Sequence, residues 1–316
     1  MSSPSTTLNV FDTGVYPTSL LTIKSDEGMI TSSSPPKPLL IGAPSSSKPE
    51  AGAEFPVLFL LHGFILYNHF YSQLILHIAS HGFIVIAPQL YTIAGPDSSE
   101  EIKATATIIE WASKHLKDVL PPNIQPNLNK LAISGHSRGG KVAFGIALNK
   151  LIKSPIKISA LIGIDPVDGM DKGNQTPPPI LTYTPKSFQL DGMPVLIIGS
   201  EFGEMKKNIL FPPCAPKGVN HRDFYDETQK PSWYFVLKDH GHLDMLDDDT
   251  KGLRGKCTYC LCKNGKQREP MRKFVGGLIV AFLNAYLNGD DSKLIAIRDE
   301  KETTIPVKFS KVDVRL

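Results

Sequence analysis

The sequence predicts an α/β protein with a mostly parallel central sheet and helices on both faces. Continuous apolar runs rich in β-branched residues recur along the chain, and segments with apolar residues at helical spacing lie between most of them. In addition, Gly135-His136-Ser137-Arg138-Gly139-Gly140 follows one such run directly and precedes a helix-like segment, as a sharp strand-to-helix turn requires.

Taken in order, residues 1–50 are irregular, with Ser32-Ser33-Ser34-Pro35-Pro36 and Ser45-Ser46-Ser47-Lys48-Pro49 as turns or loops between short antiparallel strands. Buried strands are expected at Val57–Leu61, Phe83–Ala87, Leu131–Ser134, Ile158–Ile164, Val195–Gly199 and Trp233–Leu237, because these largely apolar runs are continuous and rich in β-branched residues. Helices are expected over Asn68–Ser80, Ser99–Leu120, Arg138–Leu151 and Met271–Leu287, where apolar residues recur every three to four positions. Strands alternating with helices call for right-handed crossovers and a parallel sheet. Residues 290–316 read as a C-terminal extension. No internal repeat or linker divides the chain, so residues 1–316 read as a single domain, and 316 residues with 41% hydrophobic content can bury one large core.

The 34 basic and 31 acidic residues are spread along the chain, so no basic face for nucleic acid is implied. No apolar stretch approaches the roughly 20 residues that span a bilayer. The opening Met1-Ser2-Ser3-Pro4-Ser5-Thr6-Thr7 lacks the basic start and apolar core of a signal peptide, and Lys24-Ser25-Asp26-Glu27 soon breaks the acid-poor pattern of a transit peptide. The expectation is an intracellular protein, soluble or peripheral, with chloroplast, cytosol, endoplasmic reticulum and vacuole all open. Without a signal peptide, the sequon Asn174-Gln175-Thr176 reads as chance. Cys257, Cys260 and Cys262 form a close cluster; without a second ligand pair at zinc spacing it reads as ordinary thiols or a local disulfide rather than a metal site.

Chemistry concentrates at Ser137. In a Gly-x-Ser-x-Gly turn the serine backbone is strained and the hydroxyl is pushed out above the sheet, while flanking glycines avoid collision with the adjacent strand and helix. A serine needs a base, and the base needs an acid to hold its tautomer. His242 follows the last predicted buried strand, with His240 two residues away. His242 is preferred because Gly241 gives the loop freedom to turn that side chain over the serine. Three acids compete: Asp165 at the end of the strand after the serine's, Asp168 just beyond it, and Glu201 one strand later. Asp165 leads, since a carboxylate at a strand's carboxyl end points into the ligand crevice. Leu61-His62-Gly63-Phe64 has the position of an oxyanion turn, with the backbone N–H groups of Phe64 and Arg138 as donors. The apolar run Phe64, Ile65, Leu66, Tyr67 through Tyr71 reads either as the wall of a substrate pocket or as the buried start of a helix.

Several of these segments together resemble the plant chlorophyllases: the Gly135–Gly140 turn, Leu161-Ile162-Gly163-Ile164-Asp165-Pro166-Val167-Asp168-Gly169, the proline-rich Thr176–Tyr183, Gly241-His242-Leu243-Asp244-Met245, Cys260-Leu261-Cys262-Lys263-Asn264-Gly265 and Phe11-Asp12-Thr13-Gly14. The resemblance implies the α/β-hydrolase fold, a serine esterase acting on the phytyl ester of chlorophyll, and a triad of Ser137, Asp165 and His242. Magnesium would belong to the substrate, so no protein cofactor is implied, and an amphipathic substrate suggests peripheral contact with membranes. The same triad would also serve a general carboxylesterase or lipase related to platelet-activating-factor acetylhydrolases and polyester hydrolases, or a hydrolase-fold receptor with little turnover.

Overall fold

Strands that are apolar on both sides must be covered on both sides, and the chain supplies two sets of helices to do so. The computed structural model describes residues 9–25, 33–45, 53–302 and 304–316; the N-terminal segment before residue 9 and the expected loop over 46–49 lie outside the described residues. Among the described residues, nine strands form one sheet. They are β1 (Thr18–Ile23), β2 (Leu39–Pro44), β3 (Glu54–Leu61), β4 (Ile84–Pro88), β5 (Gln125–His136), β6 (Ala160–Ile164), β7 (Val195–Ser200), β8 (Ser232–Leu237) and β9 (Phe309–Arg315). Their order is β1-β2-β4-β3-β5-β6-β7-β8-β9; β3 to β8 are mutually parallel, while β1, β2 and β9 add antiparallel pairs at the two edges.

Alternation along β3 shows how the two cores divide. Leu58 and Leu60 pack with α1 (Ser72–Ser80) and a later helix, Glu269–Leu283; Val57, Phe59 and Leu61 pack with α2 (Ser99–Val119) and α3 (Arg138–Ala147). All six expected buried strands are present, and the expected helices at 68, 99 and 271 are present with small shifts in their ends. The expected Arg138–Leu151 helix stops at Ala147. Asn149 there takes a left-handed φ of 53°, and the N–H groups of Asn149 and Lys150 turn back to the carbonyls of Ile146 and Gly145.

The remaining elements are α4 (His221–Glu227), α5 (Gly252–Leu261), α6 (Glu269–Leu283), α7 (Ser292–Arg298) and β9. The C-terminal stretch is thus more regular than its sequence suggests. Phe309, Val312 and Val314 of β9 pack on the core, and the Arg315 guanidinium lies 3.8 Å over the Tyr225 ring while donating to the carbonyls of Tyr225 and Thr228. Among the described residues, no helix is long and apolar enough to cross a membrane. Because β3, β5, β6 and β8 run parallel, His62, Ser137, Asp165 and the His242 loop all emerge at one edge of the sheet.

Candidate active site

Ser137 joins β5 to α3 with φ 56° and ψ −123°, a strained combination for a residue bearing a Cβ. Neighbours hold it there: its N–H donates to the Ile164 carbonyl at 3.0 Å, and its carbonyl accepts from Lys141 and Val167. The turn has no room for side chains on either flank. A Cβ on Gly135 would lie 2.1 Å from the Gly139 oxygen, and one on Gly139 would lie 2.2 Å from the Leu61 oxygen.

Asp165 leaves the end of β6 fully buried. Its Oδ2 accepts from His242 Nδ1 at 2.8 Å and from the Ser200 hydroxyl at 2.5 Å. Burial pushes the carboxyl up, but the His242 hydrogen bond, the adjacent histidine charges and Ser200 outweigh it and hold the group at about 2. With Nδ1–H committed to Asp165, the neutral His242 ring carries its lone pair on Nε2, the nitrogen able to accept a proton.

The competing residues are engaged elsewhere. Glu201 accepts from the Asp239 backbone N–H at 2.9 Å, while His240 donates from Nδ1 to the Lys238 carbonyl at 2.8 Å. Asp168 is buried in an ion pair with Lys141 at 2.9 Å and accepts from the N–H groups of Ile180 and Leu181, tying down the proline-rich segment. Gly241 does precede a well-placed histidine, but for a different reason from the expected freedom of the loop: a Cβ there would lie 1.9 Å from the Lys263 oxygen.

At the end of β3, the Gly63 N–H is taken by the Tyr71 hydroxyl. That leaves the Phe64 N–H as the next donor along the turn. Arg138 is the first residue of α3, where a helix has no internal acceptor for the N–H. The Arg138 side chain ion-pairs with Glu101 of α2, donates to the carbonyls of Gly95, Pro96 and Asp97, and lies 5.5 Å from the ring centres of Phe64 and Tyr91. His62 is buried, with Nε2 accepting from the Leu90 N–H, and burial pushes it down to about 4.

Ser137 and His242 line one mostly apolar cavity of about 160 Å³ with Phe64, Ile65, Leu66, Leu243, Leu261 and Arg254. Tyr67 and Tyr71, expected in that wall, do not line it. Tyr67 packs against His69 and lies beneath Arg254, and Tyr71 is 1% exposed with its hydroxyl turned inward. The apolar run is therefore pocket wall in its first half and helix start in its second, which opens the turn Asn68–Tyr71. A larger cleft of about 720 Å³ lies at the amino ends of β6 and β7, away from this edge of the sheet. The cavity wall also holds a Cys214–Cys262 disulfide, so Cys262 is neither an ordinary thiol nor locally paired but is bridged across 48 residues, while Cys260 is free and exposed. The side chain of Cys257 lies outside the described residues. Among the described residues, no cluster of three or more potential metal ligands occurs.

Three residues at the site went unread in the sequence. His221 Nε2 stands 3.8 Å from Asp165 Oδ1, Ser200 donates to the same carboxylate, and His136 packs its ring 4.7 Å from that of His242. The only signal was that His136 occupies the variable position before the serine.

A sheet in this order, a strained serine at the β5–α3 turn and an Asp–His pair at the same edge define an α/β hydrolase. Within that class, a family model described as Chlorophyllase matches residues 6–316, and the chain belongs to this family of ester hydrolases. It is 57% identical to Chlorophyllase-2 of Arabidopsis thaliana over 99% of both chains. It is 43% identical to Chlorophyllase-1 of the same plant over 90% of this chain and 86% of that one. Chlorophyllase-1, chloroplastic, of Citrus unshiu is 38% identical over 97% and 89%.

Proposed function

We propose that the chain hydrolyses the phytyl ester of chlorophyll to chlorophyllide and phytol, with Ser137 as nucleophile, His242 as general base and acid, and Asp165 as the group that orients His242. The observation that carries the reading is the 2.8 Å bond from His242 Nδ1 to a buried, ionised Asp165, on a histidine that shares its cavity with Ser137. His242 Nε2 takes the hydroxyl proton as Ser137 attacks the ester carbonyl, and the Asp165 charge stabilises the imidazolium that forms. The N–H groups of Phe64 and Arg138 meet the tetrahedral oxyanion. His242 then protonates the departing phytol, and a water, deprotonated by the same nitrogen, releases chlorophyllide from Ser137.

A cavity of about 160 Å³ is below the roughly 300 Å³ at which drug-sized ligands are enclosed. It suits the ester and the carbons next to it, while the macrocycle and the distal isoprenoid chain rest on the surface outside. Peripheral contact with membranes is part of the same proposal: Ile93, Ile209, Leu210 and Leu253 are each at least 80% exposed.

The test is purified protein with chlorophyll a in mild detergent, with chlorophyllide and phytol followed by chromatography, beside a short-chain p-nitrophenyl ester and a Ser137→Ala blank. Serine-dependent release of phytol is expected. Turnover of the short ester alone would move the protein to the general esterases.

A further inference from the structure

We infer that Tyr71 and His136 are positioning residues: a single buried chain of hydrogen bonds through them fixes the turn that carries the Phe64 oxyanion donor and the loop that carries the base. The links are Gly63 N–H to Tyr71 Oη at 3.1 Å, Tyr71 Oη to His136 Nδ1 at 2.7 Å, and His136 Nε2 to the His242 carbonyl at 2.8 Å. This inference rests on the roles proposed for His242 and the Phe64 N–H.

The chain admits only one arrangement of protons. A carbonyl cannot donate, so His136 Nε2 must carry a hydrogen and give it to His242. Burial pushes His136 down to about 3, so the ring is neutral and Nδ1 is an acceptor. Tyr71 must then donate its only hydrogen to Nδ1, which leaves its oxygen to receive the Gly63 N–H. Every polar atom in the relay is used, and none has an alternative partner among the hydrogen bonds described.

Two consequences reach the chemistry. Gly63 immediately precedes Phe64, so the bond to its N–H anchors the peptide plane next to the one that presents the Phe64 donor; a Cβ on Gly63 would lie 3.1 Å from His136 Nδ1 and 3.2 Å from Ser137 Cβ. At the other end, the backbone of His242 is held from the residue directly before the nucleophile, so base and nucleophile move together. Keeping His136 uncharged also keeps a positive charge away from His242 as that ring takes up its proton. The groups facing His136 are His242, Asp165, His62 and Tyr71.

The test compares Tyr71→Phe, His136→Gln, His136→Asn and His136→Leu in the full chain, using the short-chain ester and chlorophyll a, with melting temperature as a control for folding. Tyr71→Phe deletes one oxygen, so the fold is expected to persist. It should lower kcat about 10- to 100-fold with KM within about twofold, because a misplaced donor and base act on the transition state. His136→Gln keeps an N–H for His242, and His136→Asn keeps an acceptor for Tyr71, so both should retain more activity than His136→Leu. Imidazole ¹⁵N spectra read the relay without turnover. The wild-type His136 should show one Nε2–H tautomer from pH 8 to about pH 4, and Tyr71→Phe should shift the Nδ1 resonance, which loses its donor, while the hydrogen stays on Nε2. A kcat within twofold of wild type in Tyr71→Phe, or losses that follow melting temperature alone, would overturn the inference while leaving the esterase reading intact. A wild-type protein inactive on both esters but with the fixed tautomer would sink the proposed function and the catalytic part of this inference together.

Discussion

Asp165 and Asp168 leave the end of the same strand three residues apart, both without exposed surface, and their surroundings send them to different work. Asp165 faces His242, Ser200 and, at longer range, His221, partners that can gain, lose or share a proton. Asp168 faces the buried Lys141 ammonium, the Gln175 amide and the N–H groups of Ile180 and Leu181, none of which lines the cavity at Ser137. Burial alone therefore does not mark a functional carboxylate. What distinguishes Asp165 is a histidine partner that lines a cavity together with Ser137.

That contrast is open to attack by substitution. The largest expected effect is on chemistry: Asp165→Asn should lower kcat by about 10⁴-fold with the fold retained, because the amide no longer holds the correct tautomer of His242. Asp168→Ala should do the reverse. It strands a buried Lys141 charge, so chemical denaturation should show a loss of about 3–5 kcal/mol, while activity per folded molecule stays within a few-fold of wild type. If Asp168→Ala abolished turnover in folded protein, the two carboxylates would not be distinct.

A pH series sharpens the comparison further. The Asp165 carboxyl sits at about 2 against 3.8 unperturbed, so its contribution is complete above 3.8 and fades only as pH falls toward 2. His136 acts in the same direction but over a higher and wider interval. The unfolded chain binds its proton below 6.5, whereas the folded residue resists until about 3, so stability drops across that interval. His62 and His77, pushed down to about 4, add to the slope. Acid unfolding monitored by circular dichroism should thus begin below pH 6.5, well before Asp165 is protonated. The smallest effect is expected at Glu201→Gln, within about threefold of wild-type kcat, since Glu201 supports only a loop N–H. A loss at Glu201 matching that of Asp165→Asn would reassign the acid.

The sheet was legible because its central strands are apolar on both faces, which makes them continuous runs in the sequence. Where an element touches the core with one face only, the signal thinned. In β9, Phe309, Val312 and Val314 alternate irregularly with Ser310, Lys311 and Asp313; α4 has seven residues, and its Asn220–Asp223 capping box was the one cue left unread. At the site, the elbow was readable because its strain demands particular residues at fixed spacing. The acid had three positional candidates, since only the folded chain shows which carboxylate meets His242. Tyr71 looked like pocket wall on hydrophobicity, a measure blind to a hydroxyl pointing inward at His136. The Cys214–Cys262 pairing joins segments 48 residues apart, and nothing in the spacing of the 257–262 cluster signals a partner that distant.

The Arg138 clamp has a bearing on how this scaffold can be remodelled. Arg138 places a backbone N–H directly after Ser137, while its guanidinium grips the carbonyls at 95–97 and Glu101. The segment bordering the site is therefore no interchangeable module that can be grafted or lengthened to accept another substrate. Exchanging it removes the acceptors that hold Arg138, and the position of the neighbouring serine is exchanged along with it.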